Sequence, residues 1–178
     1  MIIYTDGACS GNGSAAAVGG FGVVVLDDNE NLITYYMKQN LETTNNREEL
    51  RAILYTLIKY GKEKTAPIVY TDSAYALGVY TSWMFGWAKR GWVKSDNKIP
   101  ENLDLVQAFY DLWQQGYRID LRKCAGHSGV HWNEQADKLA VAAKYGEQKV
   151  VLQTLNNVTV KGMTKSPYSS LEEVLSKL

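Results

Sequence analysis

The sequence predicts an α/β fold: a mixed five-stranded sheet, three antiparallel strands then parallel additions, flanked by helices. Three observations lead there. Short apolar runs end in Asp, Asn or Gly and read as strands closed by turns. Several stretches carry apolar residues at helical spacing and finish near a glycine. Their order is β-β-β-α-β-α-α-β-α, and a strand that follows a helix joins its sheet by a right-handed crossover.

Residues 1–5 form the first strand, ended by Asp6-Gly7. Residues 7–20 are rich in Gly, Ser and Ala and suit a loop. Residues 21–26 and 32–38 are the second and third strands, joined by the turn Asp27-Asp28-Asn29-Glu30-Asn31 in a meander. Thr44-Asn45-Asn46 starts a helix whose Leu50, Ile53, Leu54, Leu57 and Ile58 share a face, with Gly61 at its C-terminal cap. Pro67 precedes a short strand at 68–71, and residues 73–80 begin another helix. Pro100 precedes a helix carrying Leu103, Val106, Phe109, Tyr110 and Trp113 on one side and ending near Gly116. Residues 117–122 are the fifth strand; residues 133–144 are the last helix, closed by Gly146.

The 178 residues suffice for one well-cored domain. Nineteen basic and nineteen acidic side chains cancel, so affinity for a polyanion must come from a local patch. Cys9 and Cys124 are too few and too far apart for a disulfide framework or a zinc motif. No signal peptide is evident, and no apolar run approaches the roughly 20 residues of a membrane-spanning helix. The expected setting is soluble and cytoplasmic.

Four acids stand at element edges: Asp6 in Tyr4-Thr5-Asp6-Gly7, Glu49 in Asn45-Asn46-Arg47-Glu48-Glu49, Asp72 in Tyr70-Thr71-Asp72-Ser73, and Asp137 in Asn133-Glu134-Gln135-Ala136-Asp137. Singly, each has a structural explanation. Asp6 and Asp72 suit turns after strands. Glu49 lies three residues after Asn46, as in a capping box, and Asp137 lies near a helix start. Jointly they point elsewhere. The topology gathers all four at one end of the sheet, where sites form at strand carboxyl ends. Carboxylates held together repel, and a divalent cation with oxygen ligands is the usual compensation. His127, between glycines near Asp137, is suited to moving a proton near neutral pH. The stretch from Trp83 to Lys98 sets four basic residues against one acid and holds three of five tryptophans. It reads either as core packing with a solvated charged face or as a projection for a nucleic-acid backbone.

In combination, Thr5-Asp6-Gly7, Thr44-Asn45-Asn46-Arg47-Glu48-Glu49-Leu50, Thr71-Asp72-Ser73, Gly126-His127-Ser128-Gly129 and Asn133-Glu134 followed by Asp137 resemble type 1 ribonuclease H over residues 1–146. The resemblance implies the ribonuclease H-like fold and cleavage of the RNA strand of RNA–DNA hybrids, leaving 5′-phosphate and 3′-hydroxyl ends. It implies two Mg²⁺ ions, with Mn²⁺ a substitute, ligated by Asp6, Glu49, Asp72 and Asp137, and His127 as proton shuttle. Cys9, Gly11, Asn12, Asn45 and Asn46 match loops at the hybrid's minor groove, and Thr44 and Asn102 match positions that hold a DNA phosphate. Trp83, Trp87, Lys89, Arg90, Trp92 and Lys94 match a basic protrusion that helps some members bind substrate. Ala74 and Glu42 depart from the family pattern and imply one lost groove contact and a weaker grip on the DNA strand.

Two other readings stay open: a module that binds hybrids without cutting them, and a nuclease of this fold acting on DNA. Residues 147–178 form an extension, with a hairpin around Asn156-Asn157 and a short helix opened by Ser170-Leu171-Glu172-Glu173. A monomer is expected, with a dimer through the extension left open.

Overall fold

A computed structural model of the chain describes residues 1–124, 130–153 and 159–161. The main sheet has the order β3-β2-β1-β4-β5. Its strands are β1 (Ile2–Ser10), β2 (Val18–Leu26), β3 (Leu32–Leu41), β4 (Ile68–Thr71) and β5 (Asp120–Lys123). The β1–β2 and β2–β3 pairs are antiparallel, and β1–β4 and β4–β5 are parallel. The expected mixed sheet is therefore present, with β1 at its centre.

Residue parity along the strands assigns the two faces. Ile3, Phe21, Val23, Val25, Tyr36 and Val69 pack against α1 (Asn45–Tyr60) and α4 (Leu103–Gln114). There Tyr36 stacks on Tyr55 with ring centroids 4.2 Å apart. Tyr4, Val24, Leu26, Tyr35 and Met37 pack on the opposite face against α5 (His131–Lys144).

Three strands are longer than expected, β3 continuing from residue 38 to Leu41. β1 runs past Asp6 to Ser10, and β2 begins at Val18, because Gly7 through Ser10 pair with Phe21 back to Val18. The glycines here are clearance for helices. A Cβ on Gly22 would lie 2.5 Å from the Leu139 Cβ and 2.6 Å from the Ala136 carbonyl of α5. A Cβ on Gly7 would lie 2.5 Å from the Glu49 amide nitrogen of α1.

The helix expected from Ser73 is α2 (Ala74–Gly78), capped by the Ser73 hydroxyl accepting from the Ala76 amide. It continues through a π-helical turn (Val79–Trp83) into α3 (Met84–Lys89). Beyond Gly146, Val150 and Leu152 are buried against the α5 face. The Tyr35 hydroxyl donates to the Val150 carbonyl, and Lys138 Nζ donates to the Val151 carbonyl at 2.9 Å. β6 (Val151–Gln153) pairs antiparallel with β7 (Thr159–Lys161), the two strands expected to flank Asn156-Asn157. The turn itself and the helix expected after Ser170 lie outside the described residues.

Candidate active site

Register brings the first two acids together. The parallel β1–β4 pairing ends at Tyr4↔Tyr70, whose rings stack at 4.9 Å. Asp6 and Asp72 each follow two residues later, on the same face, where the two strands part. Asp6 is thus interior to β1 yet at the end of its parallel ladder, a refinement of the expected strand-end position. Glu49 arrives from α1 over the sheet's other face. The helix is capped at Thr44, whose hydroxyl accepts from the Arg47 amide at 3.1 Å. A capping role for Glu49 against Asn46 is therefore overturned, and its carboxyl is left for the cleft. Asp137 lies in the second turn of α5, beyond the first-turn position where the helix dipole acts most strongly.

Carboxylate oxygens of Asp6, Glu49 and Asp72 lie within 4.8 Å of one another. With Asp137, Cys9, Asn45, Asn46 and Lys144 they line one cleft of about 490 Å³. Burial, then the charges of Glu49 and Asp72, push the Asp6 carboxyl far above the usual range, and hydrogen bonds with Glu49 and Asp137 push it the same way. Burial also raises Glu49, against the opposing pull of a hydrogen bond with Asp6, the Gly7 amide and Lys123. Asp6 and Glu49 therefore titrate as a pair, both raised chiefly by burial.

The donors are all carboxylate oxygens, which suits a hard divalent ion. The buried Glu49 Oε2 has no hydrogen-bond partner among the described residues. A buried carboxylate oxygen in that state is costly unless a ligand completes it. Asp6, Glu49 and Asp72 therefore fit a divalent metal, with Asp137 lining the same cleft.

The neighbouring Glu48, which the sequence reading passed over, is fully buried and fully engaged. Its carboxylate accepts from Thr43 Oγ1 at 2.7 Å, Arg51 Nη1 at 2.6 Å and Asn40 Nδ2 at 2.9 Å. This network ties the end of β3 to the start of α1. A second residue missed was Lys144, which also lines the cleft.

The expected groove residues form a rim. Gly11 has φ +68°, the left-handed region that favours glycine, and the Asn12 side chain accepts from the Asn45 amide at 2.7 Å. Asn45 and Asn46 are exposed beside the acids. Asn102 accepts from Arg47 Nη1 at 3.3 Å and donates to the Tyr75 hydroxyl at 2.9 Å, while Arg47 grips Asp104 through two bonds of 3.0 and 2.7 Å. Arg47 thus joins Asn102 to the helix that Thr44 caps.

The basic stretch combines its two readings. Trp87 and Trp92 pack against the core, Trp92 edge-on to Tyr110 at 5.4 Å. Trp83 is exposed, as are Lys89 and Arg90. Lys94 lies 3.9 Å from Glu101. His127 falls outside the described residues.

A family model described as RNase H matches residues 1–145. The chain belongs to the RNase H family. It is 40% identical to the Ribonuclease H of Agrobacterium fabrum over 139 residues, covering 78% of this chain and 90% of that one. Among solved structures it is similar to LC9-RNase H1, a type 1 RNase H with the type 2 active-site motif, at 29% identity and TM-score 0.68, over 97% of this chain and 79% of that one. It also shares its fold with LC11-RNase H1, solved in complex with an RNA/DNA hybrid, at 22% identity and TM-score 0.58, over 82% of this chain and 96% of that one. The chain is a ribonuclease H, with the five-stranded fold that its sequence predicts.

Proposed function

We propose that this ribonuclease H hydrolyses the RNA strand of RNA–DNA hybrids, with two divalent ions, Mg²⁺ or Mn²⁺ in its place, held by Asp6, Glu49, Asp72 and Asp137. The observation that carries the reading is the crowded, under-satisfied carboxylate cluster at the floor of an open cleft. Family membership and a structural neighbour solved with a hybrid support it. Bound divalent ions supply Lewis acidity at the scissile phosphate and stabilise the leaving oxygen.

The chain's residues do the rest. Asp6, between Glu49 and Asp72, is the candidate to serve both ions. Gly11, Asn12 and Asn46, with Cys9 and Asn45, form a rim low enough to approach a 2′-hydroxyl, the group that tells RNA from DNA. Exposed Trp83, Lys89 and Arg90, with Trp87, Trp92 and Lys94, hold the backbone. Thr44 and Asn102 hold a DNA phosphate beside Arg47. Water attacks phosphorus as the bond to the 3′ oxygen breaks, leaving a 5′-phosphate and a 3′-hydroxyl. His127 shuttles the proton, so His127→Ala slows turnover without abolishing it; complete loss with metal binding intact would assign it a larger role.

The deciding experiment offers a labelled RNA–DNA hybrid and duplex DNA to the wild-type protein and Asp6→Asn, with Mg²⁺ and with chelator. Only the RNA strand is cut, only by wild type, and only with metal. Binding without cutting, or cutting of duplex DNA, would replace the reading with one of its two rivals. The cytoplasm is its proposed location, and among the described residues no helix is long and apolar enough to cross a membrane. Residues 1–146 are proposed as the catalytic domain and 147–178 as an extension.

A further inference from the structure

We propose that Lys144 grips a backbone phosphate flanking the scissile one on the RNA strand. This rests on the hybrid-cleaving reading above. Lys144 is a wall residue of the same cleft as the four acids and, among the described lining residues, its only cation. It lies seven residues after Asp137 on α5. Seven residues are two helical turns, about 10 Å, and return to nearly the same face. The strand that is cut must thread the carboxylates, so a cation farther along that wall meets the same strand at a neighbouring phosphate.

The position of the residue is fixed while its charge is left available. Gln39 Nε2 donates to the Lys144 carbonyl at 3.0 Å, tying the end of α5 to β3. Gly20 leaves room for the Lys144 backbone, since a Cβ there would lie 2.5 Å from the Lys144 nitrogen. The ammonium rests 4.9 Å from the Tyr145 ring centroid, and no carboxylate pairs with it among the described residues. Its charge reaches Cys9 at the cleft edge, where it opposes the effect of burial on the thiol. Lys123 makes the contrast: its ammonium donates to the Asp72 carbonyl and so is committed to the protein. A net charge of zero makes each free cation near the cleft count for more in holding a polyanion.

A lysine in the last turn of a helix also complements the helix dipole, and the test separates the two roles. Hybrid affinity is measured against salt concentration on the non-cleaving Asp6→Asn background, with Lys144→Met and Lys144→Arg added. Lys144→Met weakens binding several-fold across sequences and makes the slope of log Kd against log salt shallower by about 0.7–0.9. Lys144→Arg restores both, and melting temperatures stay level. In the otherwise wild-type enzyme, Lys144→Met raises KM and leaves kcat intact. An unchanged salt slope, or equal losses in both variants with a lowered melting temperature, overturns the phosphate role. A wild-type protein that leaves the hybrid uncut overturns the hybrid reading, and this inference with it.

Discussion

Glu48 and Glu49 are consecutive, both buried, and opposite in condition. Glu48 is met by a guanidinium, a hydroxyl and an amide. Glu49 faces two other acids and keeps one oxygen without a partner among the described residues. One residue of helical rotation, about 100°, separates a carboxylate that holds the fold from one that the fold holds under strain. Burial of charge is therefore no index of function; what matters is whether the protein itself supplies the compensation.

The largest expected effects come from exchanging these conditions. Glu49→Gln removes cleavage of a labelled hybrid to background, and in chelator its melting temperature equals or exceeds that of wild type, because repulsion is relieved. A lowered melting temperature would mean that Glu49 also holds the fold. Glu48→Ala does the reverse. It leaves the largely buried Arg51 guanidinium without that carboxylate and costs about 3 kcal/mol in chemical denaturation. A neutral result would show that the network is not needed to seat α1.

A smaller effect is one of pH. The Asp6 carboxyl is raised above its unfolded value, near 3.9. Between those two values the folded state binds more protons than the unfolded one, so the metal-free protein loses stability as pH rises. Thermal melts from pH 5 to 8 in chelator should decline, Asp6→Asn should flatten the decline, and Mg²⁺ should oppose it. An identical profile in Asp6→Asn would place the raised group elsewhere. The smallest effect lies far from the cleft: Tyr35→Phe loses the bonds to Val150 and costs about 1 kcal/mol, with cleavage unchanged.

Much of this arrangement was legible in the chain. Apolar runs and helical spacing gave the element order, and the right-handed crossover rule then placed β1 at the centre beside β4. The four acids were found because each follows a recognisable strand or helix start. The loop expected over 7–20 is confined to residues 11–17; its flanks misled because Gly and Ser usually mark loops, whereas here Gly7, Gly19 and Gly20 clear room for helices packed on a strand. α3 was hidden because Trp, Phe and Gly86 carry little helical signal once a π turn shifts the register. Glu48 and Glu49 could not be told apart, since nothing local reveals that Arg51, Thr43 and Asn40 converge on only one of them.

Gly22 is the cross-strand partner of Asp6, and α5 passes over it at Ala136, Leu139 and Ala140, on either side of Asp137. The space a hydrogen atom fills there sets how far the fourth acid stands from the first. A methyl group at Gly22 would act as a shim beneath α5, lifting Asp137 from the other acids while all four carboxylates kept their identity. The reach of the proposed metal site is thus written partly in a residue that has no side chain to offer it.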